Sequence, residues 1–424
     1  MTKAISCSCL LLTLQTFPSL DISWLWGNES RRDLIKRIRH VPVDSKLRAT
    51  TNYNNVMYAV AGEAAANVAG VPIEQLVRNN IFRPLGLTNT GFSMHELSMN
   101  PNYALPYTTA SFKDAVAGRF IELSLDGASE KYAAAGDMYS SVLDLAQWGQ
   151  VVMKEGVHNG KQVLSKEGIA ATVTAHTIYK GAIRDPDTGL SLLYGMGWTL
   201  NTYKGNNFYE HSKMTRGGRV LCFMHCYRDR TNNSNDLFFC VCWQIDGRVF
   251  GYITNLAVFP NAELVVAVLS NSDMTSLPDF VSRQAADEIL GLRRSQDWLA
   301  VTAIKATVAF YDFIGGITNG KFPERVPDKP PAHELKAYTG EYIHPGYGTI
   351  TVRLEGSELL ITLEAFKGVL VHYHYDSFTT VFQHTGLKFG RLITFQTGSE
   401  GKVSSASVDA IGPKELFAKR QARS

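Results

Sequence analysis

The spacing of apolar residues between Thr51 and Gly91 predicts two consecutive helices that follow a polar loop. In the first helix, the apolar residues at helical spacing are Val56, Met57, Val60, Ala61, Ala64 and Val68. Gly70 ends this helix, Pro72 suits the first position of the second one, and Pro84-Leu85-Gly86 forms a closing turn. We therefore expect the polar residues Tyr53, Asn54 and Asn55 at the mouth of a rigid helical pair.

The same periodicity predicts helices over about residues 29–39, after Ser141 and from Pro278 to Ile289. We interpret Ser141 and Asp144, three residues apart, as helix-capping residues. Two strands are predicted around the Pro260-Asn261 turn. Residues 214–245 show no clear period, so we interpret them as an insertion loop in a first domain that spans residues 1–320.

Alternating strand patterns occupy the C-terminal part of the chain. The strand-like runs are YGTITVRL, ELLITL, GVLVHYHY, FTTVFQH and RLITFQT. In the first run Ile350, Val352 and Leu354 share one face. These runs predict a small antiparallel β domain over residues 334–424, and the Pro-rich residues 321–333 are predicted to form a semi-rigid linker to it.

Composition narrows the class of protein. The chain has 424 residues, of which 45% are hydrophobic and 19% are charged, which is typical of a globular protein with more than one domain. A net charge of +3 without a long basic run argues against nucleic acid as a partner. The apolar run from Cys9 to Phe17 is half of a secretory signal and leaves the compartment open. No segment has the length that a transmembrane span needs.

Neither a metal nor a cofactor is expected. Cys222, Cys226, Cys240 and Cys242 cluster near His225, which also allows a zinc site of unusual spacing, but the usual C-x2-C pairs are missing. His372 and His374 share a strand face without a clear carboxylate or Cys partner, so we interpret them as solvated surface residues.

Several motifs occur in an order that resembles a known superfamily. The succession of Y-x-N, an Ala/Gly-rich helix and IFRPLGLTNTGF is similar to the serine β-lactamase and penicillin-binding-protein superfamily, especially its class C-like, D-Ala-D-Ala-carboxypeptidase-like and esterase-like members. LLYGMGWTL followed by NNFYEHSKM resembles the segment that carries K-T-G or H-x-G there. The C-terminal domain resembles the lipocalin-like domain of many relatives. The resemblance implies an α+β fold, with helices flanking an antiparallel sheet.

The resemblance also implies roles for individual residues. Tyr53 would relay protons, Asn55 would orient the substrate amide, His211 would be the group on the basic strand, and Ser212 would contact the substrate. The substrate would be a small acyl amide or ester. Lys213 departs from the family pattern, because glycine at that position lets the substrate backbone lie close to the strand.

The nucleophile of the family has no counterpart in this alignment. We interpret the chain as having no S-x-x-K motif, and Ser45, three residues before Arg48, is too close to Tyr53 to occupy a separate helix. Two functions stay open: a serine hydrolase represented by an incomplete, probe-inert chain, and a non-catalytic binding or assembly protein. The resemblance further implies that the first strand of the sheet is missing, which predicts self-association through the apolar strand LVVAVLSN.

Overall fold

The computed structural model describes residues 29–43, 54–109, 111–123, 133–178, 193–211, 239–242, 248–249, 251–272, 275, 277–293, 322–384, 387–409 and 415–421. Their contacts separate the chain into two compact units. Described residues 43 and 54–293 belong to the first unit, and residues 29–42 and 322–421 belong to the second. This grouping differs from the sequence-based boundary at residues 29–42, whose described contacts are with the C-terminal domain.

The helices are Arg31–Arg37 (α1), Asn55–Ala69 (α2), Ile73–Val77 (α3), Arg83–Leu85 (α4), Met94–Ser98 (α5), Phe112–Val116 (α6), Val142–Met153 (α7), Lys166–Thr172 (α8) and Leu277–Ile289 (α9). A π-helical turn, Arg78–Phe82, joins α3 to α4. Short 3-10 turns cover Ile38–His40, Pro260–Ala262 and Leu335–Tyr338.

The strands of the first unit are Tyr107–Thr108 (β1), Ile121–Glu122 (β2), Met138–Ser141 (β3), Val157–His158 (β4), Lys161–Gln162 (β5), Thr177–Ile178 (β6), Leu193–Tyr194 (β7), Thr199–Tyr203 (β8), Asn206–His211 (β9), Phe239–Cys242 (β10), Arg248–Val249 (β11), Tyr252–Phe259 (β12) and Leu264–Ser270 (β13). Those of the second unit are Gly340–His344 (β14), Gly348–Glu355 (β15), Glu358–Leu363 (β16), Phe366–His374 (β17), Ser377–His384 (β18), Leu387–Thr397 (β19), Val403–Val408 (β20) and Phe417–Lys419 (β21).

The helical pair predicted around Gly70 is confirmed, with one difference at its end. Gly70 follows α2 with φ +70°, a left-handed conformation that glycine adopts without steric cost. The second helix continues from α3 through the π turn into α4, so Pro84 lies inside the last helical turn and Gly86 ends it at φ +69°. Among the described helices no single one has the length and apolarity to cross a membrane; α2 and the segment Ile73–Leu85 meet that test only as a pair bent by 75°.

An antiparallel sheet forms the centre of the first unit, in the order β6, β7, β8, β9, β12, with β13 and β11 also paired to β12. Strand alternation gives β12 two apolar faces. Ala257 and Phe259 pack with α9, whereas Leu256 and Val258 pack with residues of α7 and α8. The sheet is therefore covered by helices on both faces, as expected for the β-lactamase/transpeptidase-like α+β fold.

The loop predicted over residues 214–245 contains one element that the sequence analysis missed. Phe239–Cys242 forms β10 and pairs with β3 in antiparallel register. The prediction of a structureless stretch is thus wrong for these four residues, where aromatic and β-branched side chains favour a strand. Residues 214–238 lie outside the described residues.

The second unit is a closed eight-stranded barrel in which β14 to β21 follow one another in sequence order and β21 closes onto β14. The predicted antiparallel, lipocalin-like domain is confirmed. Its described interior is filled by side chains, as is usual for eight strands. Completely or almost completely buried side chains include Ile350, Val352, Ile361, Phe366, Phe378, Phe382, Ile393 and Phe417. Leu354, predicted on the same face as Ile350, is 37% exposed near the end of its strand.

Helix α1 and a 3-10 turn pack against this barrel. Ser30 caps α1, as predicted, and Arg37 in its last turn approaches Glu364 at 3.6 Å. Tyr338 is fully buried, with its ring centroid 5.0 Å from those of Phe378 and Phe395. The 3-10 turn therefore contributes an aromatic ring to the barrel core.

Candidate active site

The Y-x-N segment reaches the first turn of α2. Asn54 is the N-cap of this helix, and its side chain accepts a hydrogen bond from the backbone N of Met57 at 3.3 Å. Asn54 and Asn55 are both 1% exposed. Asn55, the predicted amide orienter, is thus held in the interior at a helix start, while Tyr53 lies outside the described residues.

Helix α2 is tied to the sheet by two tyrosines. The hydroxyl oxygens of Tyr58 and Tyr194 lie 2.9 Å apart. Burial, followed by the neighbouring Tyr58, raises the pKa of Tyr194 well above its usual value, so this hydroxyl stays protonated. Tyr58 is three positions beyond Asn55, and the contact therefore fixes the helix turn that carries the Asn.

The sheet continues from this contact towards the predicted His211 position. In strand register Tyr194 lies opposite Thr199, and Thr199 lies opposite Glu210. Two strand spacings separate Tyr194 from Glu210, which is about 10 Å. His211 follows Glu210 as the last residue of β9 and pairs with Leu256. Its backbone is described but its side chain is not, and Ser212 lies outside the described residues.

A tight contact one turn after Tyr58 in α2 limits the size of residue 62. A Cβ atom added to Gly62 would lie 2.5 Å from the Cβ of Ala134. Ala134 belongs to the AAAG segment that precedes β3. Small residues on both sides thus let the helix and this segment approach closely.

A cavity of about 360 Å³ lies beside α3 and the π turn. Its wall includes Arg78, Phe92, Glu96 and Ala133, but neither Asn55 nor His211. Arg78 pairs with Glu96 at 2.6 Å, and the Tyr139 hydroxyl donates to the same carboxylate at 3.3 Å. Burial and the Glu96 charge raise the pKa of Tyr139 to about 12. This cavity is thus separate from the residues that the motif analysis selected.

Asp144 makes contacts that the capping interpretation did not include. Ser141 is the N-cap of α7, as predicted, and accepts from the backbone N of Asp144 at 3.2 Å. The Asp144 carboxylate does not complete a capping box but accepts from Asn89 N and Thr90 Oγ1, both at 2.8 Å. It therefore fixes the loop that follows IFRPLGL to α7.

The chain contains an S-x-x-K pattern in its C-terminal barrel domain. Ser399-Glu400-Gly401-Lys402 matches it literally, so the statement that the chain has no S-x-x-K is wrong as a pattern. These residues form the turn between β19 and β20, with Gly401 at φ +68° and Ser399 exposed. In the family, S-x-x-K lies on a helix, which places the Ser and the Lys on the same face. Ser399 and Lys402 lie in a turn and do not share such a face.

Histidines that were weighed as metal ligands instead make hydrogen bonds to the backbone. The Nδ1 atom of His374 accepts from Val326 N at 3.0 Å, and Nε2 of His372 lies 2.9 Å from the carbonyl oxygen of Tyr375. In the described part of the chain, no three His, Cys, Asp or Glu side chains gather as a metal site. Cys222, Cys226 and His225 lie outside that part.

The chain resembles known proteins over most of its length. The Beta-lactamase family profile matches residues 14–290, and a domain of unknown function, DUF3471, matches residues 324–421. The unguisins hydrolase ungD' of Aspergillus campestris is 22% identical over 346 residues, which are 76% of this chain and 53% of that protein. The unguisins hydrolase ungD of Aspergillus violaceofuscus is 24% identical over 344 residues, or 77% and 54%. The chain thus spans about half the length of these curated relatives.

Among solved structures, the octameric penicillin-binding protein homologue from Pyrococcus abyssi is 18% identical, with a TM-score of 0.49 over 97% of this chain and 77% of that one. The predicted resemblance to the superfamily is confirmed by the profile match, which covers more than half of the 424 residues. The chain therefore belongs to the beta-lactamase family.

Proposed function

We propose that this β-lactamase-like protein keeps the substrate-facing part of an acyl-transfer site for a small amide or ester but does not form an acyl-enzyme in its 424-residue form. In this proposal Tyr53 relays protons, Asn55 orients the substrate amide, His211 supplies the group on the basic strand and Ser212 contacts substrate. A tyrosine hydroxyl, with an ordinary pKa near ~10, needs a neighbouring cation to act as a base at neutral pH.

The observation that carries the proposal is the way α2 is attached to the sheet. Asn55 is buried at the start of α2, and the contact between Tyr58 and Tyr194 anchors that turn to the sheet, two strands from the strand that ends at His211. A site that orients an acyl group needs this kind of rigid support. The hydrolase names of the Aspergillus relatives agree with acyl chemistry in the family.

We infer the lack of turnover from two observations. No S-x-x-K motif precedes Tyr53, and Ser399 lies in an exposed turn. Loss of the nucleophile from such a set costs on the order of 10⁶ in turnover, which leaves only binding and oxyanion contributions. The exposed turn around Ser399 offers no neighbouring base at helical spacing. We therefore expect binding without covalent capture.

Covalent labelling tests this proposal directly. The full chain is treated with a fluorophosphonate and with a fluorescent penicillin, an active serine β-lactamase serves as the positive control, and adducts are located by mass spectrometry. We expect no adduct on this chain. An adduct on any serine of residues 54–293, or one on Ser399 that Ser399→Ala removes, would overturn the proposal.

Binding measurements test the roles proposed for Tyr53 and His211. We expect Tyr53→Phe and His211→Ala each to weaken non-covalent binding of the penicillin about threefold to tenfold, the loss of one hydrogen bond. Ser399→Ala is the matched control and should bind as the parent does. Unchanged binding in both site variants would contradict the assigned roles.

A non-catalytic binding or assembly role is the second candidate, and Lys213 favours it. A long charged side chain at the place where the family has glycine hinders an acyl group against the strand. Lys213→Gly separates the two candidates: tighter penicillin binding supports the acyl-site proposal, whereas unchanged binding supports the non-catalytic role.

A further inference from the structure

Residues 322–333, which were predicted to be a linker, run along the turn between β17 and β18, and we call them the strap. The strap and this turn share a series of hydrogen bonds. Tyr373 Oη donates to Pro323 O at 2.5 Å, Arg325 Nε donates to Tyr373 O at 2.7 Å, Val326 N donates to His374 Nδ1 at 3.0 Å, Tyr375 N donates to Lys329 O at 3.0 Å, and Ala332 N donates to Asp376 Oδ1 at 2.8 Å. The rings of Phe322 and Tyr373 also meet edge to face at 5.8 Å. A segment with the Pro-rich, charged composition of a linker is thus docked on the barrel.

One of these contacts depends on the protonation of a histidine. The Val326 N–H points at Nδ1 of His374, which accepts it only through a lone pair. A protonated imidazole carries hydrogen on both nitrogens and turns this acceptor into a donor. The charged side chain would therefore face the Val326 N–H with another N–H, and the contact is lost.

The groups around His374 do not stabilise its protonated ring in the docked position. The rings of Tyr373 and Tyr375 lie 4.9 and 5.6 Å from that of His374. Besides His374, the titratable and charged groups on the strap and the turn are Glu324, Arg325, Asp328, Lys329, His333, His372, Tyr373, Tyr375 and Asp376. Arg325 is bound to the carbonyl next to His374, and a second cation there is disfavoured.

The other titratable groups keep their strap contacts in mild acid. His372 approaches the Tyr375 carbonyl through Nε2, which is a donor in the protonated ring as well. Asp376 accepts from Ala332 N and from the Tyr338 hydroxyl, and carboxylates ordinarily keep their charge down to about pH 4. Nε2 of His333 lies 2.7 Å from the Thr397 hydroxyl oxygen, to which a protonated ring can also donate. His374 is thus the histidine whose protonation opposes docking, because its Nδ1 atom accepts a strap N–H.

We propose that the strap is a pH-dependent clasp: it is docked on the β17–β18 turn while His374 is neutral and is released when His374 takes up a proton. Release removes the bond from Val326 N and frees residues 322–331 from the barrel surface. Because only the docked state excludes the proton, the docking equilibrium falls about tenfold per pH unit once the histidine is titrating. The proposal does not depend on the acyl-transfer site.

Hydrogen exchange of the full chain, read by mass spectrometry, tests this clasp. Labelling at pH 7.5 and pH 5, with times scaled for the intrinsic exchange rate, compares a peptide containing Val326 with a barrel peptide from residues 387–397. We expect protection of the Val326 peptide to fall by on the order of tenfold at pH 5. The barrel peptide should lose clearly less protection than the Val326 peptide, because a general loss of barrel stability in acid would expose both peptides alike.

Two variants make the test specific. His374→Asn places an amide oxygen where Nδ1 lies and does not titrate, so its strap should stay protected at both pH values. His372→Gln is the matched control and should behave as the parent chain. The proposal is overturned if parent protection is the same at both pH values, if His374→Asn loses protection as the parent does, or if the barrel peptide loses protection in parallel.

Discussion

The hydroxyls of Tyr58 and Tyr194 meet at 2.9 Å across 136 positions of sequence, and this contact joins the helix that carries Asn55 to the central sheet of the first unit. Tyr194 is 4% exposed, so its hydroxyl has little access to bulk water. The pair is thus a buried polar contact between two elements that both border the proposed site.

We expect Tyr58→Phe and Tyr194→Phe each to lower the free energy of unfolding by about 1 kcal/mol, the usual net value of one hydrogen bond. If the hydroxyls act mainly on each other, the double variant should cost little more than either single one. Urea unfolding of the four proteins measures this coupling. Strict additivity of the two losses would contradict a direct contact.

Asp144 provides a second test, in the loop between the helical pair and α7. Asp144→Ala removes the acceptor of Asn89 N and Thr90 Oγ1, and bonds to a charged group are worth about 1.5–3 kcal/mol each. We expect a loss of roughly 3 kcal/mol in the free energy of unfolding. Ser141→Ala, which removes only the helix cap, is the control and should cost about 1 kcal/mol. A loss no larger than that of Ser141→Ala would contradict the role of the Asp144 carboxylate in holding Asn89 and Thr90.

Local signals predicted helices α1, α2, α7 and α9 and strands β12, β13 and β15 to β19, because the periodicity of these longer elements reflects burial on one face. The α2 boundaries follow from Asn54 and Gly70, and the barrel strands follow from alternation such as Ile350 and Val352. The contacts that the sequence did not reveal join distant segments. Nothing local indicates that Asp144 reaches Thr90, or that the Pro-rich strap docks on β17.

The same limit applies to the candidate site. The order of motifs selected Asn55 and its helix, because the family pattern is carried by neighbouring residues. The anchoring pair could not be found this way, since Tyr58 and Tyr194 are two of 18 tyrosines and have no motif of their own. The roles of Tyr53, Asn55, His211 and Ser212 remain predictions.

Strand β13 predicts how the chain behaves in solution. Residues 264–268 are apolar, and within the described residues their strand pairs with β12. Apolar strands at the edge of a sheet recruit further strands. We expect the 424-residue chain to self-associate, with a sedimentation coefficient that rises with concentration.

A substitution on the barrel distinguishes association through β13 from association through another apolar surface. Val371 is 61% exposed on the outside of β17, where Val371→Lys adds a charge without disturbing the core. Association through the sheet should survive this change. A monodisperse monomer of the parent chain, or dissociation caused by Val371→Lys, would contradict the assignment to β13.

Finally, His344 predicts a loss of barrel stability in acid. Its Nδ1 accepts from the backbone N of Gly346 at 3.0 Å and of Tyr347 at 3.1 Å, and the side chain is buried. Burial lowers the pKa of His344 below its ordinary value of 6.5, although Glu415 at 3.3 Å opposes this effect. A positive charge on His40 acts in the same direction as burial.

The direction of this pH effect depends on whether the folded or the unfolded chain binds the proton more readily. Since the unfolded chain protonates His344 more readily, its contribution to stability is complete above about pH 6.5 and is lost as pH falls through the lower pKa of the folded state. Hydrogen exchange of barrel residues 340–355 between pH 7.5 and 4.5 measures this loss. His344→Asn retains an acceptor for the two N–H groups but does not titrate, so its barrel stability should depend less on pH. The same pH dependence in parent and variant would assign the loss to other groups.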